Sequence, residues 1–399
     1  MFVDFATAKK LLSDYGSPLY VYSGDILRAR CRELLDAFRG RIKPSFSIKA
    51  NSNLSLLKIV REEGILADAM SPGEIFLLEK AGFKHSEIFY IGNNVSAEEM
   101  QYAIDRDILV SVDSLSQLER FGTISRGGRV AVRFNPGLGA GHCEKVVTGG
   151  HHTKFGIQAE FWPQVRELLD RYDLKLSGVN QHIGSLFLEP DSYVQAAENL
   201  LGLVLEHFPG LDFIDFGGGF GVPYRPTEQR LDLTKLYSLL KPALDSFTAS
   251  YDNKDIHFKC EPGRYIAAEC GMLLGTVQSC KDNYGERYIG SDIGFNVLMR
   301  PVMYDSYHEI TLLADGSRSG GKAQVVGNIC ESGDVLGRER ELAGALPGDI
   351  IAVSNAGAYG YSMATNYNCR LRPAEVLLTD GGAKLIRRAD KLEDLLNNF

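Results

Sequence analysis

Lys49 ends the run Ser45-Phe-Ser-Ile-Lys49, a lone amine behind apolar residues. Such a lysine is either a solvated surface charge or, walled in by apolar groups, an amine of lowered proton affinity able to attack a carbonyl carbon. Farther along, Gly217, Gly218 and Gly219 follow Asp215-Phe216. Three glycines offer backbone N–H groups that no Cβ obstructs, which suits an anion such as phosphate; a tight turn uses the same residues. Glu261-Pro-Gly263-Arg264 brings a carboxylate, a glycine and a guanidinium together. This is either a local Glu261–Arg264 ion pair or a carboxylate free to hold a proton on a ring nitrogen, with Gly263 and Arg264 adding phosphate contacts. His182-Ile-Gly-Ser185 sets an imidazole beside a small-residue turn, as a core histidine or as part of a loop around a ligand.

These groups sit at equivalent places. Strand-like runs occur at 45–50, 66–71, 87–93, 109–113, 129–135, 176–185, 213–219 and 258–263, with amphipathic helical stretches such as 53–63, 73–81, 97–106, 161–172 and 233–251 between most of them. Ser96 followed by Glu99 reads as a capping box. Eight alternations predict an α/β fold, a closed (β/α)8 barrel of the TIM type, over an open doubly wound sheet. In such a barrel the loops after the strands converge on one mouth, and the loops after strands seven and eight often bind phosphate. Lys49, Asp68, Arg133, His182, Gly217–Gly219 and Glu261 all fall at strand ends. An amine, a phosphate cradle and a carboxylate facing a pyridine nitrogen together suit pyridoxal 5′-phosphate, whose ring acts as an electron sink.

Beyond residue 270 the rhythm changes to strand-like runs at 273–279, 309–313, 323–329, 349–353, 375–378 and 384–388 joined by loops, which predicts a C-terminal β-domain, sandwich or barrel. The extended run 18–22 is a candidate to pair with it. The expected division is a barrel over 25–268 and a β-domain of 1–24 plus 269–399.

Composition narrows the class. The 399 residues are 44% hydrophobic and 24% charged, with net charge −8, which leaves no electrostatic footprint for nucleic acid or an anionic membrane. No stretch approaches the roughly 20 apolar residues that span a bilayer. Seven scattered cysteines (31, 143, 260, 270, 280, 330, 369) without a CxxC pair fit a reducing cytoplasm and no metal site. The first 16 residues lack the uninterrupted apolar core of a signal peptide.

The order of motifs resembles the alanine-racemase-like (fold type III) pyridoxal-phosphate decarboxylases, and within them the branch acting on diaminopimelate. The resemblance runs through Ser47-Ile-Lys-Ala-Asn51, Asp68 with Gly73-Glu74, Asn135-Pro136, Thr148-Gly-Gly150, Lys154-Phe-Gly156, His182–Ser185, Gly217–Gly219 and Glu261–Arg264. It continues with Met299-Arg-Pro301, Tyr304, Cys330-Glu-Ser-Gly-Asp334, Gly357-Ala-Tyr-Gly360, Ser362-Met363, Asn366-Tyr-Asn368 and Arg372–Glu375.

The resemblance implies roles. Lys49 would carry the cofactor covalently with Asp68 positioning it, His182 would stack on the pyridine, and Glu261 would pair with the ring nitrogen. Ser185, Gly217, Gly218, Gly219, Gly263, Arg264 and Tyr359 would surround the phosphate. Cys330 would return a proton after carbon dioxide leaves. Arg264, Arg300 and Tyr304, with Tyr359 alongside, would hold the distal carboxylate of the small amino-acid substrate, and Glu331 its distal ammonium. Two guanidiniums suit a carboxylate; an ornithine-like substrate would leave Arg300 without a role. A homodimer with active sites shared across its interface is implied, because in this family the Cys330–Glu331 loop enters the neighbouring site. Three positions depart from the family pattern: Asn180 replaces a usual histidine, Val297 an acid, and Cys369 a serine. They leave open a paralogue acting on a related amino acid in polyamine, siderophore or antibiotic biosynthesis. A racemase would need an acid/base such as tyrosine on the opposite ring face, and a non-catalytic homologue would have lost Lys49 or Cys330.

Overall fold

The structure, a computed structural model, describes residues 1–141, 149–150, 153–314, 318 and 320–399. Cys143 and Thr148 lie outside the described residues. Two compact units form: one of residues 29–222 and 229–266, the other of residues 1–28, 223–228 and 267–399.

In the first unit eight parallel strands, Ile42–Ser47, Leu66–Ala69, Ile88–Tyr90, Leu109–Val112, Arg129–Asn135, Lys175–Asn180, Phe213–Asp215 and His257–Cys260, pair in chain order. Phe258 beside Ile42 joins the eighth strand to the first and closes the barrel predicted from the alternation. Helices follow the strands as the periodicity requires. Leu54–Glu62, for example, buries Leu56, Leu57, Ile59 and Val60. The box at Ser96 is formed: its hydroxyl accepts from the Glu99 N–H at 3.2 Å while Glu99 accepts from the Ser96 N–H at 2.8 Å. Inside the barrel Phe89 meets Phe213 edge to face at 5.3 Å, and the Lys259 ammonium lies 4.1 Å from the Phe213 ring centre.

Most strands stop earlier than the runs suggest. The first ends at Ser47 and continues as the one-turn 3-10 helix Ile48–Ala50; the sixth ends at Asn180, the seventh at Asp215, the eighth at Cys260. Apolar composition continues past the last paired residue because the residues beyond it remain buried in the mouth. Lys49 in that 3-10 turn, and His182, Gly217–Gly219 and Glu261 in loops, thus hang on strand ends.

The second unit is built on sheet. Leu19–Ser23 is central: it runs antiparallel to Gly271–Asn283, with Leu19 opposite Leu274, and parallel to Ala374–Thr379, with Leu19 opposite Ala374. All five of its residues are buried, and Leu19 and Val21 share a core with Val3, Leu11, Leu274 and Val376. The expected pairing of the 18–22 run with the β-domain is thus observed. Ile310–Leu313, Ala323–Val326, Ile350–Val353 and Gly382–Arg387 also appear near their expected places. Glu286–Ser291 and Val335–Arg340 went unforeseen, since their charged and glycine residues hide the period-two pattern. The connections are not all loops, because the short helix Arg300–Tyr304 interrupts them. Among the described residues no helix is long and apolar enough to cross a membrane.

Candidate active site

At the barrel mouth the acids are crowded and dry. Asp68, fully buried at the end of the second strand, accepts from the Ser47 hydroxyl at 2.7 Å. Burial raises its carboxyl to about 6, against the opposing pull of Lys49 and Ser47. Glu74 folds back to accept from the Met70 N–H at 2.7 Å, and burial raises it to about 7. Asp215 accepts from the Gly217 N–H at 2.9 Å and is likewise raised to about 7 by burial, with Lys259 opposing.

Glu261 is 5% exposed, and burial lifts its carboxyl far above the usual range; Asp215 and Asp68 add to this, and Lys49 and Arg133 oppose it. One of its oxygens, Oε1, is buried without a hydrogen-bond partner, and the other lies 3.9 Å from His182 Nδ1. The local Glu261–Arg264 ion pair is not formed. Arg264 turns to Ser185 instead, its Nη2 donating to the hydroxyl at 3.0 Å. Desolvation holds His182 well below the ordinary imidazole range, with the Lys49 and Arg133 charges pressing the same way. Arg133 is itself buried, its guanidinium 4.7 Å from the Phe155 ring centre.

Two expectations are revised. Lys49 is exposed rather than walled by apolar groups; its charge is felt by Asp68, Glu74, His182 and Glu261. Nor do the three glycines offer three free amides. Gly217 N–H is spent on Asp215 and Gly218 N–H on His182 Nδ1, leaving the Gly219 N–H without a bond among the described residues. Gly217 and Gly219 need their left-handed φ of 74° and 104°, and a Cβ on Gly218 would stand 1.9 Å from the Glu261 carbonyl oxygen. A Cβ on Gly263 would crowd Ser47 Cβ at 3.0 Å. The glycines serve loop-on-loop packing as much as an anion.

In the second unit Cys330 and Glu331 are exposed on a loop that Asp334 staples. The two Asp334 oxygens accept from the N–H groups of Phe295 and Ile329, each at 2.7 Å. Asn368 accepts from the Cys330 N–H at 2.9 Å, and Tyr367 donates to Glu331 at 2.7 Å. Arg300 is 1% exposed and held by His308 at 2.7 Å and Ser306 at 3.3 Å. Tyr304 and Tyr359 are half-buried, Tyr359 with a left-handed φ of 56°. At the departures, Asn180 accepts from the buried Ser111 hydroxyl at 2.6 Å while its Nδ2 is buried without a partner among the described residues, Val297 is buried and its carbonyl accepts from Tyr20 at 2.7 Å, and Cys369 is exposed.

Sequence reasoning gave Ser47, Glu74, Asp215 and His308 no role. The first three could have been found as polar residues at or just past strand ends; nothing local marks His308.

The barrel mouth fits pyridoxal phosphate on its own chemistry. A buried carboxyl with a free oxygen suits a pyridine nitrogen, a neutral imidazole suits the ring face, and the Gly219 amide with Arg264 and Ser185 suits a phosphate. A parallel barrel with an amine and a cluster of buried acids at its mouth defines a cofactor-dependent enzyme class. Residues 24–268 match the pyridoxal-binding domain of the pyridoxal-dependent decarboxylases, and the chain belongs to that family. It is 40% identical over 98% of its length to the diaminopimelate decarboxylase of Methanothermobacter thermautotrophicus, covering 93% of that protein. With the diaminopimelate decarboxylase of Escherichia coli K12 it shares 34% identity over 98% of the chain and 96% of the relative. The crystal structure of diaminopimelate decarboxylase from Helicobacter pylori complexed with L-lysine superposes with TM-score 0.89 at 32% identity, over 97% of this chain and 98% of that one.

Proposed function

We propose that the protein decarboxylates meso-2,6-diaminopimelate to L-lysine and carbon dioxide, with pyridoxal phosphate held on Lys49, as a cytoplasmic homodimer that shares its active sites. The observation that carries the chemistry is Glu261: a buried carboxyl with one oxygen unpartnered among the described residues. End-to-end likeness to proteins named for this reaction supports the substrate.

Bound pyridoxal phosphate supplies a conjugated ring that takes up the electron pair left when carbon dioxide departs. The chain does the rest. Lys49 Nζ would hold the cofactor through its aldehyde carbon, with loss of water, and its exposure would leave room for a substrate amine to take its place. Glu261 would set its carboxyl against the ring nitrogen: burial alone disfavours the ionised form, and the positive charge of a protonated pyridine would supply the partner that makes it a carboxylate. His182, held neutral, would lie against the ring without adding a competing charge, and Asp68, steadied by Ser47, would help to orient it from the second strand. Gly217, Gly218, Gly219, Gly263, Ser185, Arg264 and Tyr359 would hold the phosphate. Cys330 Sγ returns a proton to the α-carbon. Arg300, Arg264 and Tyr304 hold the distal carboxylate and Glu331 the distal ammonium.

Carbon dioxide release should be measured across meso-diaminopimelate, lysine, ornithine and arginine. A clear preference for meso-diaminopimelate is expected. Equal or greater turnover of lysine or ornithine would overturn the substrate assignment in favour of a paralogous decarboxylase.

A further inference from the structure

Arg300 is the buried cation on which the distal-carboxylate reading rests, and its setting is unusual. Its Nη1 lies 2.7 Å from His308 Nε2, its Nη2 donates to the Ser306 hydroxyl at 3.3 Å, and its guanidinium carbon lies 4.7 Å from the Tyr224 ring centre. His308 is fully buried, and its other nitrogen, Nδ1, lies 2.8 Å from the carbonyl oxygen of Ser354. The Tyr224 ring meets the imidazole edge to face at 5.2 Å.

These contacts determine the tautomer. A carbonyl oxygen only accepts, so Nδ1 must carry the proton. A guanidinium only donates, so Nε2 must present its lone pair. The imidazole is therefore neutral, and protonating Nε2 would set one N–H against another beside an existing positive charge. The chain builds this from one local and one long-range feature. Ser306 and His308, two apart in the segment that follows the helix beginning at Arg300, both reach back to its guanidinium. His308 lies just before Ile310–Leu313 and Ser354 just after Ile350–Val353, and these strands pair antiparallel with Ile310 opposite Val353. The sheet register thus delivers the Ser354 carbonyl to His308. His308 and Ser306 are both neutral partners that aim the guanidinium. A planar fork gains most when its orientation is preset, since less rotamer freedom is lost on each carboxylate captured.

The geometry points to His308 as a positioning residue for Arg300: its Nδ1–H tautomer, set by the Ser354 carbonyl, fixes the guanidinium for the distal carboxylate and so sets substrate specificity. This rests on the distal-carboxylate reading of Arg300 given above.

The test uses the full-length holoenzyme and compares His308→Leu, His308→Gln, Ser306→Ala and Arg300→Lys on meso-diaminopimelate and lysine. His308→Leu should raise KM for meso-diaminopimelate about tenfold or more, as expected for loss of a bond to a charged donor, with kcat and visible cofactor absorbance little changed. Its preference for meso-diaminopimelate over lysine should fall by a similar factor. His308→Gln should restore KM to within about threefold, because its amide can accept from Arg300 and donate to Ser354. A purely structural role would lower kcat, cofactor content and KM behaviour together, with no rescue by Gln. An unchanged KM in His308→Leu, or a Gln variant as poor as Leu, overturns the proposal. Should His308→Leu fail to fold, Ser306→Ala carries the test, and an unchanged KM there counts against it. If Arg300→Lys itself leaves KM and selectivity unchanged, the reading of Arg300 falls instead.

Discussion

The Gly218 amide donates to His182 Nδ1 at 3.0 Å, so the glycine loop after the seventh strand and the loop carrying His182 are one unit. The bond makes Nδ1 an acceptor and leaves the imidazole proton on Nε2. Burial then keeps that imidazole neutral beside Lys49 and Arg133. One backbone amide thus sets the protonation of a side chain 36 residues away, where a histidinium would repel both cations.

Lys49 is expected to be the sole carrier of the cofactor. Borohydride reduction of the purified protein followed by peptide mapping should place the pyridoxyl group on Lys49, and Lys49→Ala should show no reducible adduct. A label on another lysine would refute the assignment.

Glu261→Gln should retain cofactor yet lose activity by about a hundredfold or more, because a neutral amide cannot keep the ring nitrogen protonated. Steady-state turnover and visible absorbance of the same sample measure both halves. Near-normal turnover would mean that another group serves the nitrogen.

Glu74 gives a pH signature in the cofactor-free protein. Its carboxyl moves from the unfolded value of 4.5 to about 7 in the fold. A raised carboxyl binds its proton more tightly when folded, so its contribution is present below about pH 4.5 and is lost as pH rises to about 7. Wild-type Tm should therefore fall relative to Glu74→Gln across that window, and the difference should level off above it. A constant difference from pH 4 to 8 would rule out the buried proton.

Asp334 holds the Cys330 loop through two backbone amides. Asp334→Ala leaves both donors unpaired, which should cost roughly 2 kcal/mol of stability and lower kcat at least about tenfold, while cofactor binding persists. Calorimetry with kinetics at saturating substrate reads both. Full kcat in a stably folded variant would detach the loop from the chemistry.

The shared-site dimer predicts complementation. Mixing Lys49→Ala with Cys330→Ala, each inactive alone, should regenerate about a quarter of the sites, because half of the dimers are mixed and each holds one intact site. Mixed dimers that stay inactive after verified subunit exchange would refute sharing.

Much of this protein was legible in its sequence because the signals are local. Short β-branched and aromatic runs alternating with period-3.6 stretches announced eight strand–helix repeats, and the capping box at Ser96 and the extended run before Ser23 were readable within a few residues. The reactive types were legible as well, since lysine, triple glycine and Glu-Pro-Gly-Arg recur at strand ends where a barrel gathers its loops. What only the tertiary structure decided is each group's state. Whether Glu261 holds a proton depends on Asp68 and Asp215 from other strands and on the water their packing excludes. That the Gly217 and Gly218 amides are already spent follows from where Asp215 and His182 come to rest. That Arg300 is aimed by His308 follows from a sheet register linking residues 46 apart. Periodicity is a property of neighbours along the chain; desolvation, tautomer and hydrogen-bond partnership belong to neighbours in space, which only the closed barrel and the paired sheet bring together.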